Sequence, residues 1–584
     1  MRLYSTILVI TFLSSLKIFS QAVHISDCEA MFNSESFSFE ADNLKGLDTN
    51  ISYIVDENYK VNLDTTHFFD GSRSLRIDGY QENVKTFATL SLKVPLKVKK
   101  GAAIKLSVWV KTHALQGENS GAMLRLMGYN DIKGANPSIF KFNDQPLKGT
   151  VNWTLVSIAT IANEDLNYLI LSGLMQGKGN AWFDNFKIKI DEEEVKEILF
   201  FKNSSEAIEI EKSLSEYVSP LDLESIENVG ISISQQNADC RVIGIGEATH
   251  GTKEIFLFKI AIIKSLIKNN NVRSIALESY YANTEELNKY IITGKGDSKK
   301  LIANLKFWNY YTEDFLAFIE WLQEYNKQTE NKVSITGVDS QSGGNSLQIL
   351  LEEFKNDPPT TELLNQLNSD SIELTKKIEI SQRLFDQIVS KEQEESISNN
   401  SRILKNSYFL DQYSGLEYSK VRDSLMALNI ELVDHKLTPK EKIVYWAHDL
   451  HIQKKAGWTG GFLTEIFADN YINLGFLLGS GQFTAIDKEN GKLDSNNILS
   501  LMKCNSLESL MDVYKFPVLL FNNKSASKNA YLKDQLFNKY LEKRSIGALE
   551  INEQFRLLDG NTSDLYDFFI YIKNSNPSKL LEKK

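Results

Sequence analysis

The sequence predicts an α/β protein: a mainly parallel sheet with flanking helices and a helical insertion, preceded by an all-β, jelly-roll-like sandwich domain. Three observations carry that expectation. The first part of the chain alternates apolar and polar residues with a period of two. The second part interleaves unbroken Val/Ile/Leu runs with helical patterns. Several of those runs end in a carboxylate or an imidazole. Alternation marks strands with one wet face, whereas continuous apolar runs mark strands buried on both faces by helices. At 584 residues the chain is too long for one ordinary core, so two or three domains are expected.

In chain order, Met1-Arg2 and "YSTILVITFLSSL" precede "KIFSQ". This apolar run is too short and too broken for a comfortable membrane span and reads as a signal peptide over residues 1–20, with an uncleaved anchor as the alternative. A secreted or periplasmic protein follows, with no stable membrane span, because no other stretch approaches ~20 uninterrupted apolar residues. Cys28, Cys240 and Cys504 lie far apart and form no CxxC, which disfavours a disulfide framework or a thiolate metal site.

Residues 31–190 carry the β domain. "SFSFEA", "SLRIDGY", "FATLSLKV", "AIKLSVWVKT", "MLRLMGY", "WTLVSIATI", "LILSGLM" and "AWFDNFKIKID" alternate, and "DGS", "KKG" and "GKGN" separate strands. "FDGSRSLRI" and "GNAWFDNFKI" resemble carbohydrate-binding-like modules of secreted enzymes. A glycan partner is expected there; Trp109, Tyr129 and Trp153 could form its platform, but aromatics in such domains more often fill the core, and that reading is favoured for them. A charged and polar stretch, Asp191 to Glu206, marks the boundary.

From about residue 205 to 584 the pattern changes. "RVIGIG", "VRSIALE", "KVSITGVD", "KIVYWAHD", "YINLGFLLG" and "FPVLLFNN" read as buried strands. "EIFLFKIAIIKSLIKNN" and "TEDFLAFIEWLQEYNKQ" read as amphipathic helices between them. Residues ~350–440, rich in helix formers, read as a helical insertion over one end of the sheet.

The strand ends hold the chemistry. "VIGIG" is followed by Glu247 and then His250; "SIAL" leads to Glu278; "SITGV" to Asp339; "IVYWA" to His448, with His451 one turn beyond. Parallel sheets bind ligands at that edge. Each carboxylate alone would read as a helix cap, and Asp339 suits a structural role best. Together they suggest a site. No G-x-S-x-G, H-E-x-x-H, Walker A or strand-linked GxGxxG is present, so serine hydrolases, zincins and nucleotide binders are disfavoured. What remains is histidine with carboxylates. A carboxylate on one ring nitrogen fixes the tautomer and leaves the other to take a proton from water. The same groups could instead hold a divalent metal, a rival that uses His250, His448 and His451. A net charge of −11 disfavours nucleic acid as a partner.

"GEATHGTKE", "IALES", "FWNYYTEDFLAFIEWLQEYN", "ITGVDSQ" and "YWAHDLHIQK", in that order over roughly residues 205–580, resemble the erythromycin esterase family. The resemblance implies an α/β fold with added helices and hydrolysis of an ester or lactone without a metal or other cofactor. It implies His250 as the general base, with Glu247, Glu278 and His448 as catalytic companions and His451 as a further candidate. Two positions depart from the family pattern. Lys259 stands where an Arg is usual, and "AHD" replaces "AHN" through Asp449. Lys259, His451 and Asp339 are placed on the substrate side, and Lys259 with His448 would meet negative charge on the carbonyl oxygen. The substrate expected is a small-molecule ester or lactone. Export and an appended β domain are features that an antibiotic-resistance enzyme acting on macrolides inside the cell does not need. A third reading, from another class, is a non-catalytic protein that binds a glycan or lipid in an esterase-like site.

Overall fold

The computed structural model describes residues 51–582 apart from short stretches, of which 230–239 is the longest, together with 32–33 and 39. The segment read as a signal peptide and Cys28 lie outside the described residues. Among the described residues, no helix is long and apolar enough to cross a membrane.

The unbroken apolar runs become strands whose two faces enter two different cores. Strand Val242–Ile245 is buried along its whole length. Its Ile243 and Ile245, with Val444 and Trp446 of strand Lys442–Trp446, pack on one side. Val242, Ile443 and Tyr445 pack on the other. The first core is closed by helices Lys253–Asn269 and Glu313–Lys327 through Ile255, Ile262, Phe315 and Phe318. The second is closed by helix Gly415–Asp434 through Met426, Ile430 and Val433. A strand with helices on both faces has no wet side, which is why these runs do not alternate.

The sheet runs in the order Val218–Pro220, Val518–Phe521, Phe568–Ser575, Tyr471–Ile486, Val242–Ile245, Lys442–Trp446, Val272–Tyr280, Ser334–Asp339. From Phe568–Ser575 to Ser334–Asp339 every neighbouring pair is parallel. Val518–Phe521 and Val218–Pro220 add antiparallel strands at one edge. Five helices, Gly344–Glu353, Pro358–Asn368, Leu374–Ser390, Glu395–Leu410 and Gly415–Asp434, lie between strands Ser334–Asp339 and Lys442–Trp446. The first four share a small core of their own around Leu350, Leu364, Leu384 and Leu404.

The N-terminal part is antiparallel β structure around a separate core that includes Leu75, Leu90, Leu106 and Phe183. "DGS" turns the chain with Gly71 at φ 67°, but "GKGN" does not end a strand. Gly177 and Gly179 take φ 99° and 131°, and the chain continues as one strand, Tyr168–Ile190. Its partner Ala103–Tyr129 likewise joins two segments that read separately in the sequence, with register breaks between His113 and Gly121. Two glycines free of Cβ let the bend be absorbed inside the ladder, where a turn was expected.

The three candidate platform aromatics are divided between core and surface. Tyr129 is buried and stacked on Tyr168 at 4.7 Å, in the same buried cluster as Ile210 and Leu214. Trp109 lies flat on Phe69 at 3.7 Å, and Trp153 meets Phe69 edge-on at 6.1 Å.

Candidate active site

Four adjacent parallel strands present the site at one edge. Ile245 and Leu277 both pair with Trp446, and Tyr280 pairs with Asp339. Glu247, His448, Glu278 and Asp339 therefore leave the sheet side by side at its C-terminal edge.

Glu247 is fully buried. Its Oε1 lies 2.8 Å from His250 Nδ1, and its Oε2 accepts from Lys259 Nζ at 3.3 Å. The carboxylate fixes the Nδ1–H tautomer of His250 and leaves Nε2 without a partner among the described residues. Lys259 is itself fully buried, 4.6 Å over the Trp446 ring, and also donates to the Ala447 carbonyl at 3.4 Å. Burial lowers its ammonium from 10.5 to about 8, against the pull of Glu247. Lys259 thus holds the carboxylate that holds the imidazole and faces no substrate space itself.

The two glycines of "GEATHG" are there for room. A Cβ on Gly246 would stand 1.9 Å from Asp449 Oδ1, and one on Gly251 would stand 2.0 Å from the Thr484 carbonyl oxygen. The turn that aims Glu247 and His250 is pressed too closely against helix Asp449–Ile452 and strand Tyr471–Ile486 for any side chain.

His448 sits beside His250, ring centres 5.1 Å apart, but both its nitrogens are committed. Nδ1 accepts from the Leu450 amide at 3.2 Å, capping helix Asp449–Ile452, and Nε2 donates to the Ile546 carbonyl at 3.1 Å. Burial, reinforced by His250, pushes its pKa well below the usual imidazole value. A neutral ring with both nitrogens bonded to backbone neither transfers a proton nor meets an oxyanion in this arrangement. That corrects the expectation that His448 and Lys259 face the carbonyl oxygen.

Glu278 Oε2 accepts from the His448 amide at 3.0 Å, and Oε1 lies 2.9 Å from Arg422 Nη2 and 3.2 Å from His451 Nε2. Burial acts to raise its pKa, but His451 and Arg422 outweigh it and hold the carboxyl well below its usual range. His451 Nδ1 lies 2.8 Å from Asp423 Oδ1. Burial opposes its charge; Glu278 and Asp423 prevail and raise it to about 10. With both ring nitrogens protonated, the 3.3 Å approach of Arg422 Nη1 to His451 Nε2 sets donor against donor. Arg422 also grips Asp339, with Nη2 to Oδ2 at 2.8 Å and Nε to Oδ1 at 3.2 Å. Asp339, fully buried, binds Arg422 and the Gln341 amide.

The sequence reading missed Arg422, Asp423 and Lys543. Asp423 continues the apolar stripe Met426, Ala427, Ile430, Val433 of its helix toward the N-terminus, and a charge on a buried stripe was the available signal. Lys543 pairs with Asp449 Oδ2, both of them buried, and no local pattern announced it.

The family described as erythromycin esterase matches residues 267–575, a span that begins after His250. YbfO of Bacillus subtilis (strain 168), which carries the name of a hydrolase, is 22% identical over 434 residues, covering 63% of this chain and 92% of that protein. Erythromycin esterase type II of Escherichia coli is 24% identical over 308 residues, 43% of this chain and 72% of that one. A solved Bacillus cereus protein has the same fold over 64% of this chain and 99% of its own, with TM-score 0.57 and 19% identity. With more than half of its length matched, this chain belongs to the erythromycin esterase family and is a hydrolase.

Proposed function

We propose that the protein is an exported esterase-type hydrolase that cleaves a small-molecule ester or lactone with water activated by His250. One observation carries this reading: His250 Nδ1 is pinned by a buried carboxylate at 2.8 Å while Nε2 has no partner among the described residues. Nε2 takes a proton as the water oxygen bonds to the carbonyl carbon, and the imidazolium returns it to the departing alkoxide as the C–O bond breaks. The products are an acid and an alcohol. Glu247 stabilises the imidazolium and Lys259 positions Glu247. Arg422 Nη1, which faces a donor where it would need an acceptor, is the cationic N–H left to meet the oxyanion. Residues 1–20 direct export, and the Phe69–Trp109–Trp153 group is the surface through which the N-terminal domain would meet a glycan.

The test is a hydrolysis screen over aryl, acyl-sugar and macrolide esters with wild type and His250→Ala. The variant should lose about 10²–10⁴-fold in turnover on any ester the wild type cleaves, with unchanged circular dichroism. Comparable turnover by the variant would remove His250 from the mechanism.

A further inference from the structure

The helices between strands Ser334–Asp339 and Lys442–Trp446 carry an open pocket, of about 460 Å³, which none of the residues of the site above lines. That size is ordinary for a small-molecule pocket. Its walls are apolar: Ile378, Phe409, Leu425, Leu428 and Leu432 come from three helices. Phe409, Leu428 and Leu432 remain 39%, 49% and 37% exposed, which leaves large apolar side chains uncovered.

Two cations share this space. Arg402 donates to neutral amides, Nη2 to Asn399 Oδ1 at 3.0 Å and Nη1 to Asn429 Oδ1. Lys405 stands 4.4 Å over the Phe385 ring and makes no ion pair among the described residues. Burial lowers the pKa of both; Asp386 favours the charge on Lys405 from beyond contact, and Arg402 disfavours it. By contrast, Lys259 and Arg422 each touch a carboxylate. Arg402 is withdrawn from water with no carboxylate beside it, which is unfavourable, and the part-exposed Lys405 adds a second positive charge to the same space; an anion supplied from outside would relieve the first and pair with the second. A purely apolar occupant would leave both cations uncompensated. A small hydrophilic anion would leave the leucine and phenylalanine walls bare.

We propose that this pocket is a binding site, separate from the catalytic one, for an anionic amphiphile: an alkyl carboxylate whose head lies between Arg402 and Lys405 and whose tail lies along Phe409, Leu425, Leu428 and Leu432. Glu431 is the acidic side chain among the lining residues and opposes such a ligand. Asn429 donates from Nδ2 to the Val338 carbonyl at 2.7 Å and to Ser340 Oγ at 3.1 Å, so the pocket wall is tied to the strand that ends in Asp339.

Calorimetric titration of the full chain with decanoate, below its micelle concentration, tests the proposal. Saturable one-to-one binding is expected, at least about tenfold tighter than decanol, weakened at least about tenfold in Lys405→Glu and tightened in Glu431→Gln. Lys405→Gln, with its melting curve, guards against a misfolded Lys405→Glu. His250→Ala should bind decanoate as the wild type does. The proposal fails if binding does not saturate, if decanol binds as well, if both Lys405 variants are silent, or if His250→Ala abolishes binding. It fails equally if Leu428→Glu breaks up a dimer seen by sedimentation, because the face would then be an interface between copies.

Discussion

Lys259 shows how far one side chain's role depends on its neighbours. Its ammonium, lowered to about 8, is paired with Glu247 below that pH and neutral above it. Once neutral, it leaves Glu247 with one cationic partner fewer, so kcat/KM should fall as pH rises past about 8. Lys259→Arg cannot lose its proton in this range and should carry the alkaline limb to higher pH; a limb that stays in place assigns it to another group. Lys259→Met strands a buried carboxylate and should cost about 3–5 kcal/mol in urea unfolding. None of this was legible from the helix pattern, which marks position 259 only as part of a helix. The i,i+3 pair Glu247–His250 was legible, because so short a loop brings both side chains together whatever the rest of the fold does.

At the scale of elements, the site is a clamp between strand ends and helix Gly415–Asp434. Arg422 from that helix bridges Asp339 and Glu278 from two strands. Arg422→Met leaves both carboxylates uncompensated and should destabilise by about 3–5 kcal/mol. Arg422→Lys keeps the charge without the planar fork and should recover part of this. If both variants unfold at the wild-type urea midpoint, the clamp contributes nothing to stability. The strand-to-helix turn is equally constrained. Gly251→Ala drives a methyl into the Thr484 carbonyl and should cost about 1–3 kcal/mol, whereas Gly344→Ala meets nothing within 4 Å and should be close to neutral. The strands and helices around the turn were readable, since "RVIGIG", "KIVYWAHD" and "EIFLFKIAIIKSLIKNN" each carry the periodicity of the element they form. The two long N-terminal strands were not, because a bend carried by Gly177 and Gly179 looks like a turn when only local signals are available.

For the whole molecule, His451 links stability to pH. Its pKa rises from 6.5 in the unfolded chain to about 10 in the fold. The stability it contributes is complete below pH 6.5 and is lost as pH climbs toward 10. Lys259, lowered from 10.5 to about 8, works in the opposite sense, and only above about pH 8. The window from pH 6.5 to 8 therefore isolates His451. Unfolding free energy should fall there by at most about 1.4 kcal/mol per pH unit, and His451→Gln should flatten that slope. An equal slope in the variant would assign the dependence elsewhere.

The sequence by itself determined the mixed α/β character, the residues at the strand ends and the family. Each rests on short-range information: periodicity within an element, a pair of residues one turn apart, motifs in fixed order. Only the tertiary structure decided what those residues do. Arg422 reaches Glu278 across 144 residues of chain, His448 spends its nitrogens on the amide of Leu450 and the carbonyl of Ile546, and Lys259 supports Glu247 from behind. The physical reason is burial. Once water is excluded, the charge and hydrogen-bonding capacity of each group are set by whichever partners the fold brings within about 3 Å, and local pattern does not encode those partners.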